Sequence, residues 1–197
     1  MTLDKSQMYT QAIVSDKQNK KAFRDIARKV YVSYPTFAFL ERPELEFEIL
    51  DRVATRFNVP ISVILVAGSA HTGVSYVKRH PFCAGQSDLD LAIIDPCLFS
   101  QHLEEACVTT SGYRDLTRFQ PLRDGSPSDG AFMENISKGF FRPDLMPRCN
   151  LKNSWFDFFR KLSDKYRTEF GSINAGIYMA HSFFEHARTA DISAVSV

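Results

Sequence analysis

The chain has 197 residues, of which 44% are apolar and 24% charged, and a formal net charge of +1. That length and balance support one domain with a substantial core, and they exclude a disordered chain. They also exclude a protein-wide basic field that would by itself mark a nucleic-acid partner. The 17 phenylalanines point to a core rich in aromatic wedges. Cys83, Cys97, Cys107 and Cys149 form neither a C-x-x-C pair nor a zinc-ligand spacing. With a polar N-terminus and no apolar run near ~18 residues, the expectation is a cytoplasmic protein with free thiols and no membrane contact.

In chain order, Ser15 or Asp16 caps a first helix carrying Phe23, Ile26, Ala27 and Val30 at helical spacing, and Tyr34-Pro35 ends it. A second helix starts at Pro43 and runs to about Asn58, with Leu45, Ile49, Leu50, Val53, Ala54 and Phe57 on one face. PISVILVAGS reads as a buried strand ending at Gly68, and DLDLAII as a second strand. Asp95-Pro96 opens a helix ending near Thr110. RDGSPSDGA reads as an exposed loop and KGFFRPDLMP as an irregular or short extended piece. Asn153 or Ser154 caps a helix with Trp155, Phe158, Phe159, Leu162 and Tyr166 inward, ended by Gly171. SINAGIYMA is the third strand and SFFEHARTADI the closing helix. The expected fold is α+β, a small mixed sheet flanked by helices in one domain over 1–197. Residues 1–42 would form an N-terminal helical extension and 43–192 the core.

Strand side chains alternate, so Asp88 and Asp90 share one side of their strand while Leu89, Leu91 and Ile93 face the core. Carboxylates about 7 Å apart stay ionised most easily with a divalent cation between them, and oxygen-only ligands favour Mg2+ or Mn2+. Upstream, Gly68 permits a sharp turn close to a ligand, and the hydroxyls of Ser69 and Thr72 can donate to an anion. Plain turn chemistry at Ser87-Asp88 is the alternative for the acids alone.

The Gly68-Ser69 pair followed by SDLDLAII resembles the signature of the nucleotidyltransferase fold of the DNA polymerase β superfamily, hG(G/S) and then Dh(D/E)h. GSAHTG looks like the GSxxTG form of some members, including many small bacterial nucleotidyltransferase-like proteins. The match covers Val63 to Ile94, with YVKRHPFCAG as an insertion. The resemblance implies a metal-dependent transfer of a nucleoside monophosphate from a nucleoside triphosphate to a hydroxyl of protein, RNA or nucleotide. It places Gly68 and Ser69 on the triphosphate and Asp88 and Asp90 on the metal. Lys78, Arg79 and His80 become candidates for further phosphate contacts, and Arg142 for the nucleotide or a product chain. Active members also supply a third carboxylate from a neighbouring strand. Here SINAGIYMA offers Asn174 instead, and Glu169, Asp144 and Asp157 are the acids that could complete the set. The alternative is a catalytically impaired module that binds nucleotide, RNA or a partner protein, as in a toxin–antitoxin or anti-phage system.

Overall fold

A computed structural model describes residues 5–196. Among them no helix is long and apolar enough to cross a membrane. The helices are α1 (Lys5–Gln18), α2 (Phe23–Arg28, continuing in a π turn over Lys29–Ser33), α3 (Pro43–Phe57), α4 (Gly68–Thr72), α5 (Pro96–Thr109), α6 (Ser128–Ser137), α7 (Asn150–Lys165) and α8 (His181–Ala194). The strands are β1 (Ile64–Ala67), β2 (Val74–Ser75), β3 (His80–Pro81), β4 (Leu89–Ile94), β5 (Phe140–Phe141) and β6 (Ile173–Tyr178). A mixed four-stranded sheet runs β1-β4-β6-β5, and β2 and β3 form a separate hairpin. β4 lies antiparallel to β1 and parallel to β6, and β5 returns antiparallel on β6. The fold is therefore α+β with a small mixed sheet flanked by helices.

Local chemistry explains the clearest elements. Pro43 sits in the first turn of α3, where no intrahelical N–H bond is lost, and Asn58 closes the helix in the left-handed conformation at φ 52°. The Asp95 carboxylate accepts from the Leu98 N–H at 2.6 Å and caps α5. β4 is apolar and buried apart from Asp90, as befits an inner strand. Its two faces feed two cores. Leu89, Leu91 and Ile93 meet Val53, Phe99, Trp155 and Phe159 on one side. Ala92 and Ile94 meet Ile26, Val30, Tyr31, Tyr178 and Phe184 on the other. Helix α2 lies against α8 and thereby closes the second face.

Several expectations are corrected. Ser15 and Asp16 cap nothing, since both lie inside α1. Asp16 is only 4% exposed and pairs with Lys21 at 2.8 Å and Lys29 at 2.7 Å, which ties α1 to α2. Ile61–Val63 is a 3-10 turn, so the first strand is short, and the second begins at Leu89 rather than Asp88. RDGSPSDGA is not wholly loop, because Ser128 starts α6, whose Phe132 is buried. The cap of α7 is Cys149, whose Sγ accepts from the Lys152 N–H at 3.4 Å. α7 stops at Lys165, and Gly171 instead lets the chain pass close to the turn before Asp88: a Cβ there would lie 2.4 Å from the Gln86 carbonyl oxygen.

The segment between β5 and α7 is gathered by one buried ammonium group. Lys152 Nζ donates to the carbonyls of Met146 (2.7 Å) and Asp144 (2.9 Å) and to Gln120 Oε1 (3.2 Å). Burial pushes its pKa below the ordinary lysine value. Lys152→Met leaves those acceptors unpaired and should cost roughly 3 kcal/mol. Urea unfolding checks this, with a lower midpoint at unchanged slope.

Candidate functional site

Sheet register builds the site. Asp90 stands opposite Ala67 on β1 and opposite Asn174 on β6. The residue after Ala67 is Gly68, held at φ 65°, and a Cβ there would sit 3.3 Å from Asp90 Oδ2. The left-handed backbone calls for glycine, and a Cβ would also press on the Asp90 carboxylate. Asp88 lies just before β4. Its Oδ1 accepts from Ser172 Oγ at 2.7 Å, and Ser172 Oγ accepts in turn from Asn174 Nδ2 at 2.7 Å. Both carboxylates keep contact with solvent. Even so, the walls around Asp90 desolvate it, and Asp88 repels it. Those two causes, in that order, raise its pKa above the carboxylate norm, while Arg188 and Lys78 oppose them.

A cavity of about 430 Å³ opens beside these groups. Gly68, Asp90 and Asn174 give it polar lining, and Phe140, Trp155 and Tyr178 give it aromatic lining. Phe140 stacks on Tyr178 with ring centroids 4.4 Å apart. Arg142, Asp144 and Arg188 supply charge. Arg142 forks onto Asp144 through Nε (3.2 Å) and Nη2 (2.7 Å), so these two charges largely cancel.

Of the residues singled out in the sequence, Gly68, Asp90, Asn174, Arg142 and Asp144 line this one cavity; Asp88 lies outside its lining and is linked through Ser172 to Asn174. Lys78, exposed in the hairpin, is near enough for its charge to act on Asp90. Ser69 is half-buried in α4, a single turn of five residues. Thr72 has no hydroxyl to offer a ligand: it is fully buried and its Oγ1 lies 2.8 Å from the Val74 carbonyl and 3.2 Å from that of Gly68. Arg79 occupies the exposed hairpin turn at φ 57°, followed by exposed His80. The candidate third acids are already paired, Glu169 with Arg42 at 2.6 Å, Asp157 with Arg160 at 2.7 Å, and Asp144 with Arg142. Among the described residues no group of three or more His, Cys, Asp or Glu side chains is placed to hold a metal ion. The oxygen donors that could face a cation are those of Asp88, Asp90 and the Asn174 amide.

The sequence reading missed Arg188 and the Phe140–Tyr178 wall. The signal for Arg188 was its spacing: it follows buried Phe184 by one helical turn and so shares the inward face of α8.

The turn that carries Gly68 and Ser69 is anchored from beneath by His71. Its Nε2 donates to the Val30 carbonyl at 2.7 Å, and its ring stacks on Tyr31 with centroids 5.1 Å apart. Comparison with protein-family models, with curated proteins and with solved structures finds no match to this chain.

Burial drops the His71 pKa to about 4, against 6.5 for an unperturbed imidazole. The unfolded chain therefore binds the extra proton first as pH falls. Stability at this site is complete above pH 6.5 and declines towards pH 4, by a total of about 3 kcal/mol. Denaturant unfolding as a function of pH should show that decline, flattened in His71→Gln. The raised pKa of Asp90 acts in the opposite sense, its charge opposing folding at neutral pH. Asp90→Asn should accordingly raise the thermal midpoint in metal-free buffer at pH 7, as read by calorimetry.

Proposed function

We propose that the cavity beside Asp90 binds a nucleoside triphosphate with Mg2+ or Mn2+. On this reading the chain is a nucleotidyltransferase of the polymerase β type, transferring a nucleoside monophosphate to a hydroxyl of a protein, RNA or nucleotide acceptor. One observation carries the reading. Two acids flank Leu89 at the start of the inner strand, and the Gly68 backbone is set directly against the second of them, at the lip of a cavity that can take a ligand. The strand pattern supports it as well: Gly-Ser follows β1, the paired acids lie on its antiparallel neighbour, and a parallel strand comes next.

Asp88 and Asp90 would hold the cation, and the donor set fits one. All its atoms are oxygens, and Asp90, whose charge is disfavoured by burial and by Asp88, would gain from a neighbouring positive charge. Bound there, the cation would supply Lewis-acid polarisation of the phosphoryl group. The chain's own residues do the rest. Gly68, lacking a side chain, lets the polyphosphate approach Asp90. The Phe140–Tyr178 stack gives a flat apolar wall for a base. The Ser172 hydroxyl fixes the orientation of Asp88. Free thiols at all four cysteines suit a cytoplasmic setting.

A second reading, nucleotide binding without efficient turnover, is favoured by Asn174. It occupies the position opposite Asp90 where a third acid is expected, and an amide cannot accept the acceptor's proton. Incubation with each labelled triphosphate and Mg2+ or Mn2+ separates the two. Label transfer or pyrophosphate release that falls in Asp88→Ala by at least the roughly hundredfold cost of losing a metal's supporting partner supports the transferase. Binding without release by the natural chain, and release by Asn174→Asp, supports the second reading. Failure to bind any triphosphate refutes both.

A further inference from the structure

We infer that Arg188 is the phosphate-reading residue of this cavity, taking a non-bridging oxygen of the bound polyphosphate. The inference rests on the triphosphate reading and goes beyond it by naming the cation that recognises the anion.

Arg188 is an unusual arginine for this surface. Its side chain is only 20% exposed and lines the cavity with Asp90 and Tyr178. The guanidinium lies 5.7 Å from the centroid of the Phe184 ring and 5.9 Å from that of Tyr31, so it sits in a poorly hydrated setting where its charge acts strongly. Nη1 donates to Asp191 Oδ2 at 3.0 Å, and the Tyr178 side chain lies close enough to act on the guanidinium. Asp191 is not Arg188's alone, because the same Oδ2 accepts from Tyr31 at 3.1 Å. Nε is buried and has no acceptor among the described residues. The protein thus leaves part of a rigid five-donor fork unused, a costly arrangement for a structural ion pair.

The cavity's charges favour an anion at this place. Arg142 is exposed and holds Asp144 in a two-point fork, whereas Arg188 is largely enclosed, shares its one acid with Tyr31 and keeps Nε without an acceptor. Arg188 and Asp90 feel one another's charge yet form no direct ion pair, and both border the same space. With Asp88 and Asp90 facing a cation, a phosphoryl group in that space would contact the cation on one side and the guanidinium on the other. A planar guanidinium matches phosphate oxygens in a way an ammonium does not.

Isothermal titration with inorganic tripolyphosphate, with and without Mg2+, tests this in the full chain. Arg188→Lys keeps the charge and a partner for Asp191, and should weaken tripolyphosphate binding about tenfold. Arg188→Met should weaken it about a hundredfold. Binding of the nucleoside alone should be unchanged in both. Asp191→Asn, which removes the charge shared by Arg188 and Tyr31, should keep the affinity. In the wild-type protein the slowly exchanging Nε–H resonance of Arg188 should shift on titration with tripolyphosphate, which needs no variant to fold. Wild-type affinity in folded Arg188 variants, or an unmoved Nε–H resonance at saturation, overturns the inference. If Mg2+-dependent binding is then still lost in Asp90→Ala, the triphosphate reading stands without it. A wild-type chain that binds neither tripolyphosphate nor any nucleoside triphosphate overturns both.

Discussion

The alternation of β4 is the constraint on which the rest depends. Leu89, Leu91 and Ile93 fill one core, while Asp90, Ala92 and Ile94 form the other row. Because β4 has a partner on each side, its register is passed on to both. Ala67 and Gly68 are brought to one flank of Asp90 and Asn174 to the other. A slip of one residue would turn Asp90 into the core of Val53, Phe99 and Trp155 and move three large apolar side chains to the face already filled around Ala92 and Ile94. The penalty for burying an unpaired carboxylate makes that slip prohibitive. The same alternation that secures the sheet therefore fixes where its acids stand.

Position and electrostatics pull against each other at this spot. Packing sets Asp90 where neighbouring walls strip water from it and Asp88 repels it, and both effects disfavour its charge. The chain does not relieve this with a direct ion pair. Arg188 is turned to Asp191, and Lys78 is held in an exposed hairpin. A desolvated carboxylate without an ion pair, beside an open cavity, would gain from a positive charge supplied from outside the fold. The surrounding scaffold absorbs the cost through two well-filled cores on either face of the sheet.

What could be read from the sequence divides by the range of the forces involved. β4, α3 and α5 were legible because period, capping and proline placement are local and agree there. Asp90, Gly68 and Asn174 followed, since strand alternation and one left-handed turn place them. Thr72 was misassigned because a hydroxyl near a glycine turn serves a ligand or the backbone equally well by sequence, and only the path to Val74 decides. α6 was hidden by turn residues that cluster ahead of it, and its burial comes from Phe132 meeting Phe119 and Phe141, contacts outside its own helix that no helical period reveals. Arg188 was overlooked for a related reason. Its inward spacing was visible, but the cavity it borders is assembled from β4, β6 and the segment after β5, which no local pattern brings together.

Asn174 has a positive role in its own surroundings. Its amide donates to Ser172 Oγ, which leaves the single hydroxyl proton of Ser172 free to be given to Asp88. The chain of donors runs in one direction, from amide to hydroxyl to carboxylate, and each member is satisfied by the one before it. A carboxylate at position 174 would have no proton to give. It would compete with Asp88 for the one that Ser172 holds, and it would add a third negative charge to a place where the second is already disfavoured. The amide is thus consistent with its surroundings and not merely tolerated by them. A site tuned in this way holds Asp88 in a fixed orientation without any cation, whereas a site with three acids would depend on cations to order its ligands. If the cavity takes a metal–polyphosphate as proposed, its preorganisation is built from hydrogen bonds, and the neighbouring strand supplies no group able to take up a proton.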